Sequence, residues 1–265
     1  MITGASSGIG KACAQRLAAE GDRVYGTSRH PSEETDAPGV QMLAMDVSSD
    51  ESVAAAIEQL VRVEGRIDVV VNNAGFGIAG AIEDTSIEEA KALFETNFFG
   101  MLRVCRTVLP VMRAAHSGTI VNTSSLGGRI GLPYQGLYSA TKFAVEGMSE
   151  ALRMEMHQFG IRVIMIEPGD FRTGFTKNRH YVTASQGDSA YKGGFERTIK
   201  VAEKDEQEGS SPEQIARLLV RILRTRSPKV RYSVGGISQR GAAVLKGLLP
   251  SRVFEWALMK YYRVI

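Results

Sequence analysis

Cysteine is nearly absent: Cys13 and Cys105 are the only two among 265 residues, and no paired spacing joins them. That excludes a disulfide framework and a thiolate metal cluster, leaving two buried thiols in helical segments as the simplest reading. Histidine is scarce as well. His30, His116, His157 and His180 are scattered without metal-ligand spacing, so no metal site is expected. Long apolar runs are missing too, and nowhere do eighteen apolar residues follow one another. The first residues lack the pattern of a secretory signal, so the expectation is a cytoplasmic protein without a membrane span. What remains is ordinary globular material, 43% hydrophobic and 23% charged.

Net charge is +3, yet it is unevenly spread. Residues 221–265 hold ten basic side chains and a single acid, Glu255, while the preceding part carries an excess of acids. An acidic body with no nucleic-acid-binding motif argues against a nucleic acid partner.

Short β-branched runs alternate with longer helical stretches, the pattern of a parallel sheet covered by helices on both faces. Strands are expected at Ile2-Thr3, Arg23 to Ser28, Val40 to Asp46, Ile67 to Asn72, Thr119 to Thr123, Arg162 to Glu167 and Lys229 to Val234. Helices are expected at Gly10 to Glu20, Ser52 to Glu64, Ile87 to Met112 with a break near Gly100, Tyr138 to His157, and Pro212 to Thr225. No repeat or linker divides the chain. The expectation is a single α/β domain over 1–265, doubly wound, with a mostly parallel seven-stranded sheet. Only Met1, Ile2 and Thr3 precede the first turn, which is short for a central strand. Either further residues precede Met1, the favoured expectation, or a short first strand suffices.

That turn reads Thr3-Gly4-Ala5-Ser6-Ser7-Gly8-Ile9-Gly10, directly after a strand and directly before a helix. Glycines there let the backbone approach a pyrophosphate, whose charge meets the positive end of the helix. Gly4, Ser6, Ser7, Gly8, Ile9 and Gly10 are therefore candidate nucleotide-binding residues. At the end of the second strand an acid would select NAD, and an arginine NADP. The chain has Thr27, Ser28 and Arg29 with no acid, which favours NADP(H), with NAD(H) as the second choice. A solvated surface arginine is the bland alternative. Asp46 and Val47 end the third strand, where adenine would lie. Asn72, Asn73, Ala74 and Gly75 end the fourth, beside the ribose.

Tyr138 and Lys142 stand four residues apart at the start of a helix, with Ser125 thirteen residues before the tyrosine. Such a pair shares one helix face. A lysine ammonium beside a phenol favours the phenolate, which predicts a lowered Tyr138 pKa and a group able to trade protons.

Taken in order, these elements resemble the classical short-chain dehydrogenase/reductase family along nearly the whole chain. The glycine turn is Thr3 to Gly10, and the Asn-Asn-Ala-Gly element is Asn72 to Gly75. The catalytic positions fall on Asn97, Ser125, Tyr138 and Lys142, and a Pro-Gly-x3-Thr element falls on Pro168, Gly169 and Thr173. The resemblance implies hydride transfer between a nicotinamide and a carbonyl or alcohol. Tyr138 would exchange the proton and Ser125 would hold the oxygen. Lys142 would bond the nicotinamide ribose, and Asn97 would hold a relay water. It also implies a homo-oligomer.

Substrate signals are thinner. Residues 172–211, rich in Gly, Ser, Lys and Glu, read as an irregular lid. Phe171, Phe175, Tyr181, Tyr191 and Phe195 either line a lipophilic pocket or anchor that lid. With small and apolar residues between Ser125 and Tyr138, a small apolar ketone, aldehyde or alcohol is the natural substrate. The basic amphipathic tail, 241–265, either packs on the body or a neighbouring subunit, or touches a membrane surface. Two alternatives stay open: a non-catalytic NADP(H) sensor, and a membrane-associated dehydrogenase of the retinoid or steroid type.

Overall fold

A computed structural model describes residues 1–31 and 38–265. Seven strands form one sheet in which every neighbouring pair is parallel: β1 (Ile2–Thr3), β2 (Val24–Ser28), β3 (Val40–Ala44), β4 (Val69–Asn72), β6 (Gly118–Thr123), β7 (Ile161–Pro168) and β9 (Arg231–Val234). The spatial order is β3-β2-β1-β4-β6-β7-β9. β1 holds only two residues and yet sits between β2 and β4. A second, two-stranded parallel sheet pairs β5 (Ile78–Ala79) with β8 (His180–Tyr181), which the sequence pattern had not suggested.

Buried residues run continuously through β6 and β7, because helices cover both faces of the sheet. One apolar layer joins Val70, Ile120 and Val163 to Val104 and Val108 of α4 (Gly100–Ala114) and to Ile57 of α2 (Asp50–Glu64). The opposite layer joins Val71, Val121 and Ile164 to α1 (Gly8–Ala19) and to Leu219 of α8 (Glu213–Arg224). Local chemistry sets the helix ends. Ser49 accepts the Ser52 amide at the start of α2, and Gly65 closes it in the left-handed conformation. A capping box between Ser86 and Glu89 starts α3 (Ile87–Phe94).

The break expected near Gly100 is a π-helical turn over Glu95–Phe99, between α3 and α4. Such turns are rare and concentrate at functional sites. α5 (Gly136–Met156) then carries Tyr138 and Lys142 in its first two turns. The segment 172–211 departs from the expectation of an irregular stretch. Besides β8 and the short α6 (Thr183–Gln186), it contains α7, a helix over Lys192–Gln207. Its buried stripe Phe195, Thr198, Ile199, Ala202 and Glu206 explains why, since a half-polar stripe at helical spacing hides from a composition reading. The C-terminal part forms α9 (Ile237–Leu245) and α10 (Ser251–Tyr261).

Candidate active site

Chain order reverses between β1 and β4, so the chain leaves their carboxyl ends toward opposite faces of the sheet and opens a crevice, the place where open α/β sheets bind ligands. A cavity of about 1000 Å³ fills it. Its walls include Gly4, Ser6, Ser7, Gly8, Ile9, Ser28, Arg29, Asp46, Val47, Asn73, Ala74, Gly75, Ser125, Tyr138, Lys142, Pro168, Gly169 and Thr173. Two predicted site residues, Gly10 and Asn97, are not on the wall.

Gly10 supports the turn from behind. A Cβ there would come within 2.6 Å of Asn73 Nδ2 and against the Gly4 carbonyl, so α1 can start this close to β1 only with glycine. Gly4 and Gly8 adopt positive φ, and a Cβ on Gly4 would sit 3.0 Å from Ala74 Cα. Thr3 fastens the neighbouring strand end: its hydroxyl accepts the amides of Asn73 and Ala74, each at 2.9 Å. The start of α1 faces the cavity, and Ser7 makes no side-chain cap there. These features fit a dinucleotide phosphate. At the end of β2, the hydroxyls of Thr27 and Ser28 are buried without a partner on the cavity wall, beside Arg29. Unpartnered buried hydroxyls beside a guanidinium suit an anionic group. The Asp46 carboxylate instead accepts the Ser48 amide and hydroxyl, which holds its pKa below the usual range.

Asn97 is fully buried in the π turn. Its Nδ2 donates to the Phe76 carbonyl at 2.9 Å and to Thr141 Oγ1 at 3.3 Å, while its Oδ1 accepts the Phe76 amide at 3.0 Å. Both amide hydrogens are therefore engaged in joining α5 to the loop after β4, and neither is left to donate to a relay water. Next to it, Thr96 reaches the cavity wall.

Tyr138 is buried beside Ser125, whose hydroxyl donates to the Pro168 carbonyl at 3.3 Å and accepts the Gly127 amide at 3.0 Å. Phe175 packs edge-on against the Tyr138 ring, 5.6 Å between centroids. Lys142 Nζ lies 5.8 Å from the same ring and donates to the Thr123 carbonyl at 3.0 Å. The lowered Tyr138 pKa expected from this neighbour is not found. Burial pushes the phenol up to about 12, against a smaller downward pull from the Ser125 hydroxyl. Burial likewise pushes Lys142 down to about 8, opposed by Glu146. Desolvation of both groups outweighs their mutual attraction.

The far wall was largely missed by sequence. Leu245, Leu249, Phe254, Ala257, Leu258 and Tyr262 come from α9, α10 and the turns beside them. Asp170, Asp205 and Glu206 also reach it. Burial, then Glu206 and Asp205, raise the Asp170 carboxyl to about 7. Glu206 is bound by Arg179 and Thr176, while Asp205 accepts from the Tyr261 hydroxyl at 2.8 Å. The aromatics divide. Phe171 and Phe175 line the cavity, whereas Tyr181 and Phe195 pack together with Tyr134 and tie α7 to the body. Tyr191 bonds to Glu83.

Residues 1–182 match the family model described as short chain dehydrogenase. The chain belongs to the short-chain dehydrogenase/reductase family. It is thus an oxidoreductase acting on CH–OH or C=O groups with a nicotinamide cofactor. A relative from Bacteroides thetaiotaomicron, described as a 3-ketodihydrosphingosine reductase, is 46% identical over 264 residues, covering 100% of this chain and 97% of its own. A solved short-chain dehydrogenase from Streptomyces avermitilis superposes with a TM-score of 0.81 at 32% identity, covering 98% and 96% of the two chains. A metagenomic short-chain oxidoreductase solved in complex with NADP gives a TM-score of 0.69 at 26% identity, covering 88% and 95%. Within this family the position of Tyr138, Ser125 and Lys142 beside the nucleotide-shaped crevice acquires a chemical meaning.

Proposed function

We propose that this dehydrogenase/reductase reduces a long-chain, largely apolar ketone and prefers NADPH to NADH. The observation that carries the reading is one cavity with two unlike walls meeting at Tyr138: a phosphate-shaped turn on one side, apolar helix faces on the other. On the first wall, the turn from Gly4 to Gly10 would receive the pyrophosphate, and Thr27, Ser28 and Arg29 the 2′-phosphate of NADPH. Asp46 and Val47 would border adenine, Asn73, Ala74 and Gly75 the ribose, and Pro168, Gly169 and Thr173 the nicotinamide end. When bound, the nucleotide supplies the hydride.

Ser125 would hold the carbonyl oxygen while Tyr138 gives it a proton. A phenol whose pKa lies near 12 is protonated at neutral pH, which suits donation and hence reduction. Lys142, charged below about pH 8, would stabilise the phenolate that results. Asn97 would act as a positioning residue, keeping α5 and Tyr138 in register with Phe76. The segment 172–211 would close over the substrate through Phe175, with Phe171 lining the cavity just before it.

The name of the Bacteroides relative denotes a ketone with a long alkyl chain beside amino and hydroxyl groups. Leu245, Leu249, Phe254 and Leu258 suit such a chain, and Asp205, with Asp170 ionised above about pH 7, favours a cationic head over an anionic one. Titration with NADPH and NADH, followed by nicotinamide fluorescence and then a ketone panel, tests the reading. Tighter NADPH binding and fluorescence loss with long-chain ketones are expected. Tight binding with no turnover across the panel would overturn it, and equal affinities would remove the NADPH preference.

A further inference from the structure

The family match ends at residue 182, and the apolar wall contributed by α9 and α10 lies beyond it. α10 has two unlike faces. Phe254, Ala257, Leu258 and Tyr261 follow helical spacing and line the cavity. Phe254 packs with Leu126, Ile130 and Ala243 just beyond Ser125. On the other face, Val253 and Trp256 are 50% and 56% exposed, flanked by exposed Arg252 and Lys260. The preceding turns continue this surface. Leu248 and Leu249 donate their amides back to the Leu245 carbonyl, so Val244, Leu245 and Leu248 crowd one side of a helical turn. Leu248 is 74% exposed. Apolar side chains this exposed and this close together exceed the single scattered residues of an ordinary surface.

Charge says what covers them. Residues 241–265 carry Lys246, Arg252, Lys260 and Arg263 against Glu255 alone, so the chain's whole net charge of +3 resides in this segment. A large apolar indole among aliphatics, rimmed by cations, fits an anionic lipid interface. No described helix is long and apolar enough to cross a membrane, so this segment would lie on a bilayer rather than span it. Leu245 and Leu249 are both exposed and on the cavity wall, so they mark its rim. A second copy of the chain seated on this face would cover that rim; a lipid surface instead opens onto it.

We propose that α9 and α10 form a loading platform. Their outward face rests on an anionic bilayer, and their inward face guides a long-chain substrate from the leaflet to Tyr138. The loading step rests on the apolar-ketone reading above, whereas the lipid contact stands independently of it.

Trp256 is the only tryptophan in the chain, so its emission reports the contact directly. The full chain is mixed with vesicles of phosphatidylcholine alone, or with phosphatidylglycerol at about three to one. A blue shift of Trp256 emission and co-sedimentation are expected with the anionic vesicles only, weakening as salt rises. The double variant Arg252→Glu, Lys260→Glu should lower the bound fraction ratio about tenfold or more. Neither residue lines the cavity, so NADPH binding and turnover of a short, water-soluble ketone should be unchanged. Turnover of a long-chain ketone presented in vesicles should fall with the binding. Absence of the blue shift with anionic vesicles would overturn the platform, as would undiminished binding by the double variant. A shift that needs only raised protein concentration would assign the face to a second copy. Vesicle binding without turnover of any ketone would remove the substrate reading and the loading step, leaving the lipid contact. Turnover of the soluble ketone without vesicle binding would remove the platform alone.

Discussion

The end of the cavity that fits a nucleotide is made of turns and strand ends, whereas the end beyond Tyr138 is made of helix faces. At the first end, recognition depends on backbone: Gly4 and Gly8 at positive φ, Gly10 against the Gly4 carbonyl, and Thr3 clamping the amides of Asn73 and Ala74. At the second, it depends on which side chains α7, α9 and α10 turn inward, from Ala202, Asp205 and Glu206 to Phe254 and Leu258. Backbone geometry tolerates almost no substitution, while a packed helix face accepts many hydrophobic exchanges of similar volume. One cavity thus joins a half built on backbone, within the segment that matches the family model, to a half built on helix side chains, mostly outside it.

Tyr138 stands where the two halves meet, so it offers the largest test. Tyr138→Phe should lower the rate of ketone reduction by about a thousandfold, within the usual range for losing a positioned proton donor. Single-turnover kinetics would measure it, and NADPH affinity should stay unchanged because the ring and its contact with Phe175 remain. Retained activity would break the division at its hinge. Within the constrained half, Gly10→Ala should nearly abolish NADPH binding or the folded state itself. A methyl there runs into the Gly4 carbonyl oxygen and meets Asn73 Nδ2 at 2.6 Å, and the carbonyl, being backbone, cannot withdraw without moving the turn after β1. Near-normal binding by calorimetry would show the turn to be softer than its geometry implies. A smaller effect is expected at its edge. Arg29→Asp should weaken NADPH relative to NADH by about tenfold or more, since a phosphate would lose a charge-assisted partner and meet a like charge. An unchanged ratio would leave Thr27 and Ser28 as the whole of the selection.

The same contrast explains how much was legible in the sequence. Strand and helix periodicity gave the seven parallel strands, and the glycine turn gave the crevice, because both are encoded within a few consecutive residues. Tyr138, Lys142 and Ser125 were legible for the same reason. Their electrostatics were not: four residues on a helix suggested an ammonium lowering a phenol, but burial of both by distant segments decides the balance. Asn97 was found by its motif, yet only the π turn shows its amide hydrogens already engaged with Phe76 and Thr141. Asp170, Asp205 and the α10 wall carry no motif. Phe254, Ala257, Leu258 and Tyr261 do share helical spacing, but nothing local says whether that face meets core, cavity or solvent.

The smallest expected effect sharpens the comparison from below the site. Glu146, one helical turn after Lys142, is buried and accepts a hydrogen bond from Arg231 Nε at 3.0 Å. Its charge supports that of Lys142, whose pKa burial otherwise depresses to about 8. Reduction should therefore slow as pH rises through about 8, where Lys142 loses its proton and no longer stabilises the Tyr138 phenolate. Glu146→Gln keeps the shape and removes the support, so the alkaline limb of kcat/KM should move to lower pH. The rate on the neutral side should hold. A group that only packs α5 against β9 would lower the rate at every pH and leave the limb in place. Movement of the limb alone would mean that charge reaches the reacting end through α5 itself, within the segment that matches the family model.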